Sequence, residues 1–285
     1  MARVLEGRVM VITGASAGIG AATALACARA GMDVVLGARR RDRLDAVAQQ
    51  IEAIGRRAVP VTCDVARDAD VAALFEQALG AFGRVDALFA NAGHGLCAPV
   101  LSMTDAQHRE IFEVNYFGTV RTLQAGTPAM RQADGGLRHI VVCSSVASEI
   151  ALPDHGAYAA TKAAQDAVAG ALRAELAAEG FVVTTVHPVG TRTEFSAVVG
   201  RRSGREIADA TPNTPAFLAQ SAETVARAVV RSLRRPRPEV WPMPAARYAL
   251  AMTTACPRLA AWMMRRRARR RGSVGASVGR GAQRG

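Results

Sequence analysis

Lysine is almost absent from this chain. Of 36 basic residues, only Lys162 is a lysine. Asparagine occurs at 91, 115 and 213, and tyrosine at 116, 158 and 248. Aromatics make up 5% of the residues, so Ala, Val and Leu must fill the core. Half the residues are hydrophobic, which supplies a sizeable core and excludes a disordered chain. Cysteines stand at 27, 63, 97, 143 and 256, with no Cys-x-x-Cys spacing and no Cys/His cluster. That scatter argues against a zinc site and for reduced, buried thiols in a cytoplasmic protein. No stretch reaches roughly eighteen uninterrupted apolar residues, so no spanning helix is expected. Met1–Gly7 is too short and too polar to be read as a signal peptide. Acids are nearly missing from the C-terminal part. From Arg231 onward, fourteen arginines face a single acid, Glu239. The net charge of +12 therefore belongs to the tail, and residues 1–230 are close to neutral.

A composition so poor in Lys, Asn and Tyr implies a background bias against them. Where one is kept, its replacement was chemically costly. This singles out Lys162, Asn91, Asn115 and Tyr158 before any motif is considered.

Short apolar runs alternate with helical patterns. Strands are expected at 8–13, 33–37, 58–62, 85–90, 138–143, 181–187 and 239–241. Helices are expected at 19–30, 41–54, 68–82, 105–131, 155–179 and 221–234, several closed by Gly. Residues 191–220, with Pro212 and Pro215, read as an irregular excursion. Alternation of this kind implies an α/β fold, a doubly wound parallel sheet of the Rossmann type with helices on both faces. Residues 1–241 would form one catalytic and dinucleotide-binding domain. Residues 242–271 would be an amphipathic, basic segment, and 272–285 a disordered tail on composition. Ligands of such sheets lie beyond the carboxyl ends of the strands.

The chemistry-bearing residues fall at those ends. Gly14, Ser16, Ala17, Gly18, Ile19 and Gly20 join the first strand to the first helix. Glycines allow a tight turn and close approach to a pyrophosphate, which the helix N-terminus then faces. An ordinary strand-to-helix turn is the plainer alternative. After the second strand the chain runs Gly37-Ala38-Arg39-Arg40-Arg41, without the acid an NAD binder would place there. Arg39 first, and Arg40 second, match the 2′-phosphate of NADP in charge and donor geometry. A solvated helix start rich in Arg would look the same. Asp64, followed by Val65, suits either an adenine contact or a helix cap. Asn91-Ala92-Gly93 follows the fourth strand. Asn115 stands inside a helix, where its propensity is poor.

Ser145 follows the fifth strand. Tyr158 and Lys162, four residues apart, share one face of the next helix. A phenol titrating near ~10 is a poor acid–base group at neutral pH, and a neighbouring ammonium is expected to lower that value. Ser145 can orient a substrate oxygen while Tyr158 donates a proton to it. Lysine has rotatable donors that can reach a ribose, which arginine's rigid fork does not match.

Taken together, TGASAGIG (13–20), NAG (91–93), Asn115, Ser145, YAATK (158–162) and HPVGTRT (187–193) resemble the short-chain dehydrogenase/reductase family, non-extended type, from about Arg8 to Trp241. The resemblance implies a catalytic set of Asn115, Ser145, Tyr158 and Lys162. Asn115 would hold a relay water and Ser145 polarise the substrate oxygen. Tyr158 would exchange the proton, while Lys162 binds the nicotinamide ribose and tunes Tyr158. It also implies NADP(H) as cofactor, with Pro188 and Thr193 near the nicotinamide. The family usually has Pro-Gly where this chain has Pro188-Val189. Homo-oligomers are expected from the resemblance alone. His94, Leu96, Val146, Ala147, Pro153–His155, Phe195 and Phe217 would wall the pocket. That lining favours a hydrophobic ketone or secondary alcohol. In the C-terminal segment, Trp262-Met263-Met264 runs into RRRARRR (265–271). It suits structural cover of the cleft, or peripheral contact with an anionic membrane, better than nucleic acid, for which an arginine run is unspecific. The competing class is a non-catalytic dinucleotide sensor or scaffold tethered by this tail.

Overall fold

The computed structural model describes residues 2–133, 135–150, 152–192, 194, 195, 199, 200, 219–256, 258, 261 and 262. Thr193 and Phe217, expected at the cofactor and in the pocket wall, lie outside these residues with most of the 191–220 excursion, as do Met263–Gly285.

The strands are β1 (Val9–Thr13), β2 (Asp33–Ala38), β3 (Ala58–Thr62), β4 (Ala87–Ala90), β5 (His139–Cys143), β6 (Val182–Val186), β7 (Thr191–Arg192), β8 (Gln220–Ser221) and β9 (Glu239–Val240). Seven of them form a parallel sheet ordered β3-β2-β1-β4-β5-β6-β9. The order reverses between β1 and β4, which opens a crevice at their carboxyl ends. β7 and β8 form a separate two-stranded parallel sheet.

The helices are α1 (Gly18–Arg29), α2 (Arg41–Ala53), α3 (Asp68–Phe82), α4 (Asp105–Phe112), α5 (Gly118–Arg131), α6 (Gly156–Glu175), α7 (Ala222–Arg234) and α8 (Pro244–Ala255). One face of the sheet packs Ile12, Leu36 and Phe89 against α1, α2 and α7. The other packs Val11, Leu88 and Ile140 against α3, α5 and α6. The near-continuous Val/Ile/Leu strands follow from this cover on both sides.

The single helix expected over 105–131 is interrupted. A π-helical turn, Glu113–Phe117, separates α4 from α5 and contains Asn115. Such wide turns concentrate at functional positions. Here the cause is local: the Asn115 carbonyl accepts from the Thr119 hydroxyl at 2.7 Å and from Gln165 Nε2 at 2.7 Å.

Candidate active site

The glycine turn is shaped by close contacts. Gly14 has φ +70°, and an added Cβ there would lie 2.9 Å from Ala92 Cα. At Gly20 a Cβ would lie 2.3 Å from the Gly14 carbonyl oxygen. Only glycine fits between this loop and the end of β4. Asn91 fastens the two. Its Nδ2 donates to Thr13 O (3.0 Å) and Gly14 O (3.3 Å). Thr13 Oγ1 in turn accepts from the amides of Asn91 (3.1 Å) and Ala92 (3.2 Å). Ala17, the residue before α1, offers no side-chain cap, and the first turn holds no acid. Its first amides are thus left for an anion. Ser16, Ala17, Gly18 and Ile19 line that N-terminus.

Arg40 reaches the same loop, with Nη2 3.3 Å from Ser16 Oγ. It also pairs with Glu194 at 3.0 Å, and Arg43 joins that pair at 3.4 Å. Arg39 is more exposed and lies 4.0 Å from Asp64 Oδ2. Asp64 does not cap α3, which starts after Arg67. Its Oδ1 accepts from the Ala66 amide at 3.1 Å. Val65 is buried beneath Gly118 of α5, so the chain after β3 is fixed from both sides.

Asn115, Ser145, Tyr158 and Lys162 are brought to one place beyond β4 and β5. Asn115 is fully buried. Its side chain accepts from the His94 amide (2.9 Å) and donates to His94 O (2.9 Å) and Thr161 Oγ1 (3.1 Å). Asn115 thus fixes the loop after β4 against α6. Ser145 Oγ accepts from the Ala147 amide at 3.1 Å and is near enough to the Tyr158 hydroxyl to favour its ionised form. The Val146 amide donates to Pro188 O at 3.1 Å, which ties the Ser145 loop to the chain after β6. Val189, where the family has Gly, is buried there without disturbing that bond.

The electrostatics differ from the expectation. Burial pushes the Tyr158 phenol above its ordinary value, and the nearby Ser145 hydroxyl only partly offsets this. Lys162 does not act on it directly. Its Nζ donates to Cys143 O at 2.8 Å and lies 5.6 Å from the Tyr158 ring centre. Burial also lowers the Lys162 value, because desolvation penalises an ammonium. In this arrangement burial keeps the Tyr158 phenol neutral.

Sequence reasoning missed Thr161 and Gln165. Both lie on the Tyr158 face of α6, at i+3 and i+7, and both bond to Asn115. That spacing was the available signal. Phe195, expected in the pocket wall, stands 5.7 Å from the Tyr158 ring, centre to centre. Phe195 and Val199 would both clash with a Cβ at Gly95, so the described part of the excursion closes over the chain after β4.

A sequence profile described as short chain dehydrogenase matches residues 8–203. An uncharacterised oxidoreductase of Methylorubrum extorquens is 36% identical over 212 residues, covering 74% of this chain and 84% of that protein. A dehydrogenase/reductase SDR family protein 7-like of Drosophila melanogaster is 32% identical over 269 residues, covering 93% of this chain and 81% of that protein. Among solved structures, a short chain dehydrogenase/reductase from Burkholderia phymatum in complex with NAD matches with a TM-score of 0.77 at 26% identity. It covers 90% of this chain and 96% of that one. A short chain dehydrogenase from Burkholderia cenocepacia in complex with NADP matches with a TM-score of 0.70 at 27% identity, covering 83% and 96%. The chain belongs to the short-chain dehydrogenase family and is an oxidoreductase of that kind.

Proposed function

We propose that this protein is an NADP(H)-dependent carbonyl reductase or alcohol dehydrogenase acting on a hydrophobic ketone/secondary-alcohol pair. The observation that carries the reading is the Ser145–Tyr158–Lys162 cluster, held by Asn115 at the carboxyl ends of β4 and β5. The Gly14–Gly20 cradle and the uncapped start of α1 fit a dinucleotide pyrophosphate. Asn91, Ala92 and Gly93 border the same cradle. Pro188 and Thr193 would follow toward the nicotinamide. Arg40, beside Ser16, and Arg39, beside Asp64 and Val65, would receive a 2′-phosphate.

A bound nicotinamide dinucleotide supplies the hydride. The protein's part is to orient the carbonyl and deliver a proton. Ser145 holds the substrate oxygen, and Tyr158, kept neutral by burial, gives its proton to that oxygen. Lys162 is held on Cys143 O, with donors left for a ribose hydroxyl and for returning a proton toward Tyr158. Phe195 excludes water from the Tyr158 ring and favours apolar substrates. A neutral donor suits reduction. The four-residue cluster distinguishes this reading from a dinucleotide sensor, which needs the cradle alone. Homo-oligomeric assembly, a cytoplasmic location and membrane contact by the tail complete the proposal.

The test is oxidation of NADPH and NADH, followed at 340 nm, over a panel of ketones and aldehydes. Tyr158→Phe should lower turnover by roughly 10²–10⁴-fold while NADPH still binds. Arg40→Gln should weaken NADPH and leave NADH unchanged. A Tyr158→Phe variant with full turnover would sink the mechanism, and an Arg40→Gln variant with unchanged NADPH affinity would sink the phosphate assignment.

A further inference from the structure

Behind Ser145 lies a second polar cluster that the proposed reaction does not use. Glu149 follows the Ser145 loop, Asp166 is one turn past Lys162 on α6, and His187 directly follows β6. Each offers one ligand atom, and these atoms lie within 4.8 Å of one another. His187 is 2% exposed, and its Nδ1 has no hydrogen-bond partner among the described residues. Both Asp166 oxygens are likewise buried without a hydrogen-bond partner there, Oδ2 standing 3.8 Å from His187 Nδ1.

His187 Nε2 is hydrogen-bonded to Thr185 Oγ1 at 3.0 Å, which leaves Nδ1 as the ring nitrogen turned toward the carboxylates. At 3.8 Å, Nδ1 and Asp166 Oδ2 stand too far apart for a hydrogen bond to each other. Buried carboxylate oxygens without hydrogen-bond partners are costly unless a cation lies against them. The Ser145 carbonyl also faces the ring, adding to the negative field. The nearby cations spend their hydrogen bonds on other partners: Arg247 pairs with Glu239 and lies over Trp241, and Lys162, whose charge reaches Asp166, donates to Cys143 O. Trp241 stacks on His187 at 4.3 Å with planes 4° apart, which fixes the direction of Nδ1.

We infer that His187 Nδ1, Asp166 and Glu149 bind a divalent transition-metal ion of the zinc type. One imidazole and two carboxylates suit such an ion, whereas magnesium and calcium prefer all-oxygen shells. The exposed Glu149 side chain can rotate to close the ligand set. The ion would clasp the Ser145 loop to α6 and to the chain after β6, making it a positioning element for the cluster in front.

The test uses the full chain, stripped with a chelator and dialysed. Zn²⁺, Co²⁺ and Mg²⁺ are titrated by calorimetry and thermal unfolding, and Co²⁺ also by visible absorbance. The inference expects one Zn²⁺ or Co²⁺ per chain, a raised Tm, a Co²⁺ ligand-field band and little response to Mg²⁺. Glu149→Gln and Asp166→Asn should each weaken the ion by about tenfold or more. Glu149 is at the surface, so its variant keeps the fold. Three results would overturn the inference. One is the absence of saturable Zn²⁺ binding, another is unchanged affinity in both variants, and the third is a proton retained on His187 Nδ1 under saturating Zn²⁺, read by ¹⁵N chemical shift. None of these readouts depends on turnover, so the site and the proposed reaction can fail separately.

Discussion

Single side chains in this protein are set by what surrounds them more than by their type. His139 on β5 is fully buried, and burial lowers its pKa to about 3. Thr184 Oγ1 donates to Arg237 O at 2.6 Å, so it takes the proton of His139 Nε2, 2.8 Å away. The folded value lies below the unfolded one, so the unfolded chain takes up the proton first as pH falls. The stability due to neutral His139 is complete above the ordinary value of about 6.5 and is lost as pH falls from there toward 3. The slope is about 1.4 kcal/mol per pH unit. His139→Gln should flatten that fall in urea unfolding curves between pH 7 and 5, and an unchanged slope would remove His139 as its cause. The scarce residues of the sequence marked the cluster well: Lys162, Tyr158 and Asn115 converge as expected. Their electrostatics were not legible. Proximity along a helix face suggested a lowered phenol, but burial of both groups and the Cys143 carbonyl reverse the outcome. Glu149, Asp166 and His187 were invisible for another reason. They come from three separated segments, and only the parallel sheet brings those together.

At the scale of elements, the pattern of strands and helices was legible almost throughout, because a sheet covered on both faces writes itself as apolar runs. Ala58–Thr62 and Asp68–Phe82 have the expected bounds, and most others shift by one or two residues. The exceptions are the helix expected over 155–179, which ends at Glu175, and the helix through Asn115. Side-chain periodicity does not register a π turn whose cause is two hydrogen bonds to one carbonyl. The joint of β1 and α1 shows how sharply an element can be specified. At Gly20 a methyl group would meet the Gly14 carbonyl at 2.3 Å and Asn91 Nδ2 at 2.7 Å. The first is backbone and cannot swing away. Gly20→Ala should therefore displace the glycine turn. The expected result is loss of dinucleotide binding by fluorescence titration with far-UV circular dichroism retained; unimpaired binding would mean that the cradle is not the site.

Across the whole molecule, the two ends of the sheet have different tasks. At the amino ends, the buried Asp86 accepts from the Val9 amide (2.9 Å), Arg8 (3.2 Å) and Arg84 (2.6 Å), a purely structural knot. The carboxyl ends hold every residue of the proposed chemistry. One connection crosses the carboxyl-end crevice: Glu194, from the chain beyond β7, reaches Arg40 and Arg43 at the start of α2. These pairs are half exposed, so each contributes little and is screened by salt. The guanidinium that holds Glu194 is also the one proposed for the 2′-phosphate. Carboxylate and phosphate are then rivals for one cation, and the cofactor must evict an internal anion to seat itself. Glu194→Gln should tighten NADPH by severalfold and leave NADH unmoved, with the gain shrinking as ionic strength rises. Equal effects on both cofactors would deny the rivalry. A single acidic side chain would in that way set how quickly the spent cofactor leaves, and so the pace of the cycle.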